Sequence, residues 1–366
     1  MAEPRTIVSP KEDIALREVL TVQDVQTRIK QAIVQGYYQR LTPKQTSALI
    51  ADIIQQTAER YPEAQREAIR QSLAVNAQKW HYTYMESVRV LNLSLLQRIA
   101  QTPSIAVVNR TYTIDVRAIA GMSATESSVV VERFRPFLTQ DSAGIPLIED
   151  YEKKVKMQIK ALASDPANLV RIDKNGKPYT VNMRNFAEME TRYQANLKDV
   201  QRLRDDGVKL VWTSSHADAS ARCSPYQGRL FSMDGTSGNI DGERYTPLED
   251  ALLGPKGDGN GIINGYNCRH RLIEYRPKSR PPKEYDKETI RRENAINNRQ
   301  RQYERDIRNT KIEERLLRQS GDTEGANALR QEWQRTERNY QAYSLRNGRA
   351  FYDWRTKVTQ DEIDQG

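Results

Sequence analysis

The sequence predicts an α+β protein. It has a mostly helical N-terminal region, a small glycine-rich, β-containing central domain with a candidate Cys/His metal clamp, and long charged C-terminal helices. Three observations predict this. Leu and Ile recur at spacings of three and four from about Leu20 to Ala100, as in SALIADIIQQTAERY at 47–61. Residues 235–265 hold eight glycines among short β-favouring runs. Residues 287–319 are densely charged with both signs, around a thin apolar line of Ile290, Tyr303, Ile307 and Leu316.

In the N-terminal part the helix starts are marked. Thr42, Pro43 and Gln45 fit an N-cap, a proline in the first turn and a capping-box partner. Tyr61-Pro62-Glu63 marks another boundary. Trp80, His81, Tyr82 and Tyr84 read as an aromatic packing cluster, with His81 structural. Residues 103–118 carry short β-favouring stretches. ESSVVVERFRPFL at 126–138 fits a strand or a buried helix, and periodicity cannot separate them at that length. A helix is predicted over 146–163, and a hairpin over 169–182 with Asn175-Gly176 in its turn. Residues 183–207 read as a helix stopped by Gly207, feeding a short strand at 208–215. RLIEYRP at 271–277 predicts a strand, and the proline-rich RPKSRPPKEY that follows a stiff connector. After the 287–319 helix, Ser320-Gly321-Asp322 breaks the chain before a second helix running towards Tyr343. Phe351, Tyr352 and Trp354 predict a docked tail. The expected units are 1–102, helical; 103–182, mixed α/β; 183–283, the core with the Cys/His phrases; and 284–366, long helices and tail.

The 366 residues are 37% hydrophobic and 29% charged, with a mean hydropathy of −0.79. That suits modest cores with amphipathic helices, not a disordered chain. The 57 Lys and Arg against 48 Asp and Glu give +9, which favours anionic partners without identifying one. No apolar run approaches a membrane span, and MAEPRTIVSPKEDIALREVLT lacks the apolar stretch of a signal peptide. Two cysteines are expected as reduced thiols in a cytosolic setting.

Those two cysteines share two phrases with two of the three histidines: SSHADASARCSPYQG at 214–228 and NCRH at 267–270. His216, Cys223, Cys268 and His270 make a possible four-ligand set, since zinc is held mostly by thiolate and imidazole in a tetrahedron. The first pair follows a predicted strand and the second precedes one, so an ion there would tie the ends of the glycine-rich excursion. Six residues separate His216 from Cys223 and one separates Cys268 from His270, which is not zinc-finger spacing. On extended backbone a C-x-H pair points both side chains to one side. Buried or disulfide-bonded cysteines and a catalytic Cys/His site, with Asp218 as orienter, stay open on spacing alone.

With these phrases the chain resembles the minor capsid (head morphogenesis) proteins of tailed bacteriophages, the branch related to the phage Mu head-morphogenesis family. VKLVWTSSHADASARCSPYQGRLFS (208–232), GYNCRHRLIEYRP (265–277) and NRQRQYERDIRNTKIEE (298–314) carry the likeness, and MRNFAEMETRY (183–193) fits the part before them. It covers roughly 180–345. His216, Cys223, Cys268 and His270 fall on the family's polar Cys/His positions; Gln227, Gly228, Asn267 and Arg269 fall on its framing residues. The resemblance implies a histidine where Cys223 stands. A thiolate is an acceptable replacement for a metal ligand and a poor one for an acid or base, so the departure favours one structural Zn2+.

The resemblance implies a non-enzymatic minor component of the phage head. It would be made in the host cytoplasm and would act near the portal in head assembly, with a part in DNA packaging or delivery. The portal protein, the major capsid protein and packaged double-stranded DNA are the implied partners. Arg291, Arg292, Arg299, Arg301, Arg305 and Arg308 are the candidates for phosphate contact. Their competing role is salt bridging along the helix with Glu293, Glu304 and Asp306. The rivals are a metal-dependent nuclease or other hydrolase centred on His216, Asp218, Cys268 and His270, and a host basic scaffold or nucleic-acid-binding module.

Overall fold

The computed structural model describes residues 10–61, 63–101, 116–135, 147–172, 177–220, 223–253 and 268–359. They divide between two compact units. One is Met1–Leu20, Met183–Arg305 and Arg338–Arg355; the other is Thr21–Asn182, Asp306–Glu337 and Thr356–Gly366. Among the described residues, no helix is long and apolar enough to cross a membrane.

The second unit is helical. Helix α1 (Pro10–Tyr38) belongs to this unit from Thr21 onward and ends before Arg40, at φ 58°, where the N–H of Leu41 reaches back to Gly36 O at 2.9 Å. The start of α2 (Pro43–Ala58) is the one its sequence marks. Gln45 N–H donates to Thr42 Oγ1 at 3.3 Å, and Thr42 N–H donates to Gln45 Oε1 at 2.9 Å. Gly36 permits the close approach of α2, since a Cβ there would lie 2.4 Å from Thr46 Oγ1. Helix α3 (Glu63–Gln101) buries Leu73, Ala77, Trp80, Tyr84 and Val88 at helical spacing. Tyr82 corrects the expected aromatic cluster. It is 71% exposed, because two residues from Trp80 and two from Tyr84 is the opposite side of the helix.

Helices α4 (Val116–Ala120) and α5 (Ala124–Phe134) follow. The stretch read as strand or helix is therefore helix, and a Ser123–Glu126 capping box starts it. Residues 116–118 are helical where β-favouring chain was expected, and 103–115 lie outside the described residues. Helix α6 (Leu147–Ser164) supplies Leu147, Tyr151 and Val155 to a core shared with Leu95, Leu96, Ile99, Ile119, Val131 and Phe134. Strands β1 (Asn168–Ile172) and β2 (Pro178–Asn182) form the expected antiparallel hairpin, registered Leu169 on Val181; its Asn175-Gly176 turn lies outside the described residues.

Lys30 is fully buried within this helical unit. Lys30 Nζ donates to Ala163 O at 3.0 Å and Asp165 O at 2.6 Å, and lies 4.9 Å from the centre of the Trp80 ring. It satisfies carbonyls that the end of α6 leaves open. Burial pushes its pKa from 10.5 down to about 7; the Asp165 charge opposes that shift and Lys79 adds to it. Between pH 7 and about 10.4 the unfolded chain therefore holds a proton that the folded chain lacks, so stability rises with pH across that window. The rise is on the order of a few kcal/mol. Melting of Lys30→Met and wild type at pH 7 and 9.5 checks this. The wild type should gain on the variant at the higher pH, and equal differences would contradict it.

The other unit is built on α7 (Met183–Asp205) and a five-stranded sheet. Gly207, at φ 70°, closes α7, with Val208 N–H donating to Leu203 O at 3.0 Å. The strands are β3 (Leu210–Thr213), β4 (Leu230–Ser232), β5 (Gly238–Ile240), β6 (Glu243–Pro247) and β7 (Leu272–Glu274), in the order β5-β6-β4-β3-β7. Only the β4–β6 pair is parallel. Helix α8 (Leu248–Leu253) follows β6. The core is small: Val200 and Leu203 of α7 pack with Val211, Phe231, Met233, Leu248 and Ala251.

Helices α9 (Lys287–Gln319) and α10 (Thr323–Arg346) each contribute to both units. In the sheet-containing unit, Tyr303 stacks on Tyr340 at 6.0 Å and Phe351 meets Tyr340 edge-on at 4.9 Å, so the aromatic tail docks as expected. In the helical unit, Ile307, Ile312, Leu316 and Leu317 are buried and Trp333 Nε1 donates to Glu314 at 2.8 Å. The break between the helices is at Gly321, φ 88°, and Asp322 caps α10 by accepting from Gly325 N–H at 2.9 Å.

Candidate metal centre

Strand β3 lies between β4 and β7, and this adjacency brings the two Cys/His phrases together. Ser214, just after β3, donates its N–H to Arg271 O at 2.9 Å, and Arg271 N–H returns to Ser214 Oγ at 2.9 Å. The phrase after β3 then turns back. Gly228, at φ 69°, donates to Thr213 O at 3.1 Å, and a Cβ there would meet Ser215 Oγ at 3.1 Å. The positive φ favours glycine there, and a side chain would also press on Ser215.

Cys268 and His270 are buried and their side chains do share one side, with Sγ and Nδ1 3.4 Å apart. The turn brings in Cys223. The ligand atoms of Cys223, Cys268 and His270 all lie within 4.8 Å of one another, and the two cysteines are free thiols. The donor set fits zinc. Zn–S and Zn–N bonds at tetrahedral angles put sulfur and nitrogen about 3.6 Å apart, close to the 3.4 Å found. His216 stands beside the three. Its ring is edge-on to His270 with centroids 4.8 Å apart, and its Nε2 is 3.2 Å from Ser214 Oγ.

The electrostatics favour ligand forms. A hydrogen bond with Cys268 holds the Cys223 thiol well below its usual range, against burial. Burial lowers the pKa of His216 and favours neutral imidazole. Asp218, its side chain 5% exposed, pairs with Arg269 at 2.9 Å and Arg349 at 3.9 Å. Burial pushes its carboxyl up, but those two cations outweigh it and hold it low. Among the described residues Asp218 makes no hydrogen bond to either histidine, as an orienter would. It is an anchor for the loop. Arg349 also pairs with Glu293 at 2.7 Å, and Asn294 donates to Ala219 O at 3.0 Å.

Of the framing residues, Gln227 reaches both histidines: His216 N–H donates to its Oε1 at 2.9 Å and His270 Nε2 is 3.3 Å away. Arg269 holds Asp218, and Asn267 lies outside the described residues. Arg291, Arg292, Arg299 and Arg305 are exposed on α9, with Arg299 over the Tyr303 ring at 4.7 Å. Arg301 is half-buried against Glu304 at 3.1 Å, and Arg308 is half-buried in the helical unit. Sequence reasoning missed Arg349, Asn294 and Asn196, which donates to Cys268 O at 3.3 Å. None carries a local signal; their roles arise from long-range packing.

Comparison with known proteins finds no match among curated proteins and none among solved structures. A family model does match, over residues 172–344, and its description is phage minor capsid protein 2. The matched stretch holds both Cys/His phrases, Gln227 and all of α9. Over residues 172–344, just under half of its length, the chain matches the model of the phage minor capsid protein 2 family, and its Cys2His cluster is capable of binding a metal ion.

Proposed function

We propose that the protein is a minor component of a tailed-bacteriophage head, acting near the portal in assembly and in the packaging or delivery of DNA. The family match over 172–344 carries this reading. The chain would be made in the host cytoplasm and end in the head, against the portal protein, the major capsid protein or both. His216, Cys223, Cys268 and His270 would hold one Zn2+, which supplies a structural cross-link between the two phrases when bound. All four positions filled by protein leave none for a reacting water.

Co-expression with the portal and major capsid proteins of the same phage tests the assembly role. The tagged chain should retain one or both through washing, and retention of neither would contradict it. The exposed Arg291, Arg292, Arg299 and Arg305 are the DNA-facing candidates. Changing all four to Gln should weaken duplex binding and flatten its log K against log salt slope by up to about 3.6, at ~0.9 per phosphate contact. An unchanged slope would return those arginines to surface salt bridging.

A further inference from the structure

Gln227 lies outside the ligand set yet touches both histidines through a single oxygen. The backbone N–H of His216 donates to that Oε1 at 2.9 Å. A backbone N–H only donates, so it must meet the amide oxygen and not the NH2 group, and the orientation of the Gln227 amide is settled. The same oxygen is 3.3 Å from His270 Nε2. A carbonyl oxygen only accepts, so Nε2 carries the proton. A neutral imidazole has one N–H, which leaves the lone pair on Nδ1. Nδ1 is the atom 3.4 Å from Cys268 Sγ, on the side of the sulfur ligands.

We propose that Gln227 is the positioning residue of the metal centre: its amide oxygen fixes the His270 tautomer and ring direction so that the Nδ1 lone pair faces the ion. This deepens the zinc reading above and rests on it. The backbone that carries this side chain is itself held in place. On one side of Gln227, Tyr226 O accepts from Thr213 Oγ1 at 2.7 Å; on the other, Gly228 N–H donates to Thr213 O at 3.1 Å. Strand β3 thus fixes the backbone on both sides of Gln227. A histidine ligand that donates its distal N–H to a fixed acceptor is pre-oriented and more basic, and loss of such an acceptor typically lowers metal affinity 10–100-fold.

The test uses the full-length protein. Zinc dissociation constants come from competition with a chromophoric chelator. The His270 tautomer comes from long-range proton–nitrogen correlation on metal-free, histidine-labelled protein, in which only three imidazoles have to be assigned. Gln227→Leu should lose at least about tenfold in zinc affinity and shift the tautomer ratio away from Nε2–H by roughly two- to twelvefold. Gln227→Glu keeps an acceptor oxygen and should bind within about threefold of wild type, or more tightly. Wild-type affinity and tautomer ratio in Gln227→Leu, at full zinc stoichiometry, would overturn the proposal and leave the zinc reading standing. Wild-type protein that takes up no zinc would sink both. Should Gln227→Leu not fold, an Nδ1–H majority in wild type overturns the proposal. An Nε2–H majority with near-wild-type affinity in Gln227→Glu supports it.

Discussion

Cys268→Ser is expected to abolish stoichiometric zinc and to make the sheet-containing unit melt as the chelator-treated wild type does. A serine hydroxyl does not ionise near neutral pH, so the substitution removes a thiolate from a cluster in which three ligand atoms already lie within 4.8 Å. Among the described residues one core cluster of that unit holds Val200, Leu203, Val211, Phe231, Met233, Leu248 and Ala251, and an ion would add a tie between its two Cys/His phrases. An ion that binds only the folded form stabilises by about 4 kcal/mol when free zinc is a thousandfold above Kd. Burying a hydroxyl in place of the thiol has a cost of its own, so chelator sensitivity is the discriminating readout. Chelator should lower wild-type melting and leave the variant unchanged. Equal chelator responses in both would contradict the clamp.

Glu304→Ala should cost about 3–5 kcal/mol, the usual penalty for leaving buried charges without their partner. The Glu304 side chain is 4% exposed and meets Arg301 at 3.1 Å and Arg355 at 3.7 Å, while Tyr340 Oη donates to it at 2.8 Å. Burial and then the Glu304 charge raise the Tyr340 hydroxyl's pKa, so the phenol stays a donor. Removing the carboxylate takes one partner from Arg301, from Arg355 and from the Tyr340 hydroxyl where α9, α10 and the aromatic tail meet. Urea denaturation of Glu304→Ala and Glu304→Gln checks this. The amide keeps an acceptor for Tyr340 and should lose less, and zinc content should be unchanged in both. A loss below about 1 kcal/mol in the alanine variant would place the network among weak surface pairs.

What was legible in the sequence was local. The Thr42 capping box, the Gly207 stop and the Cys268–His270 alternation each depend on residues within a few positions, and each forms as its chemistry dictates. One readable signal went unused. Ser123-x-x-Glu126 ahead of the valine run marks a helix start, and would have settled helix over strand. Tyr82 neighbours Trp80 and Tyr84 in sequence but faces away from both, because a helix turns residues two apart to opposite sides. The parallel β4–β6 pairing and the Asp218–Arg349 clasp join distant segments, and no local pattern encodes such partners. Gln227 stood out only as a framing residue of the family phrase. Its link to both histidines depends on how the turn after β3 closes.

Quantitative mass spectrometry of purified heads, set against the portal and major capsid proteins, tests the head assignment most directly. The chain should be present in every preparation, in far fewer copies than the major capsid protein and at a fixed ratio to the portal. Heads that assemble, package and release DNA normally while containing none of it would contradict that assignment.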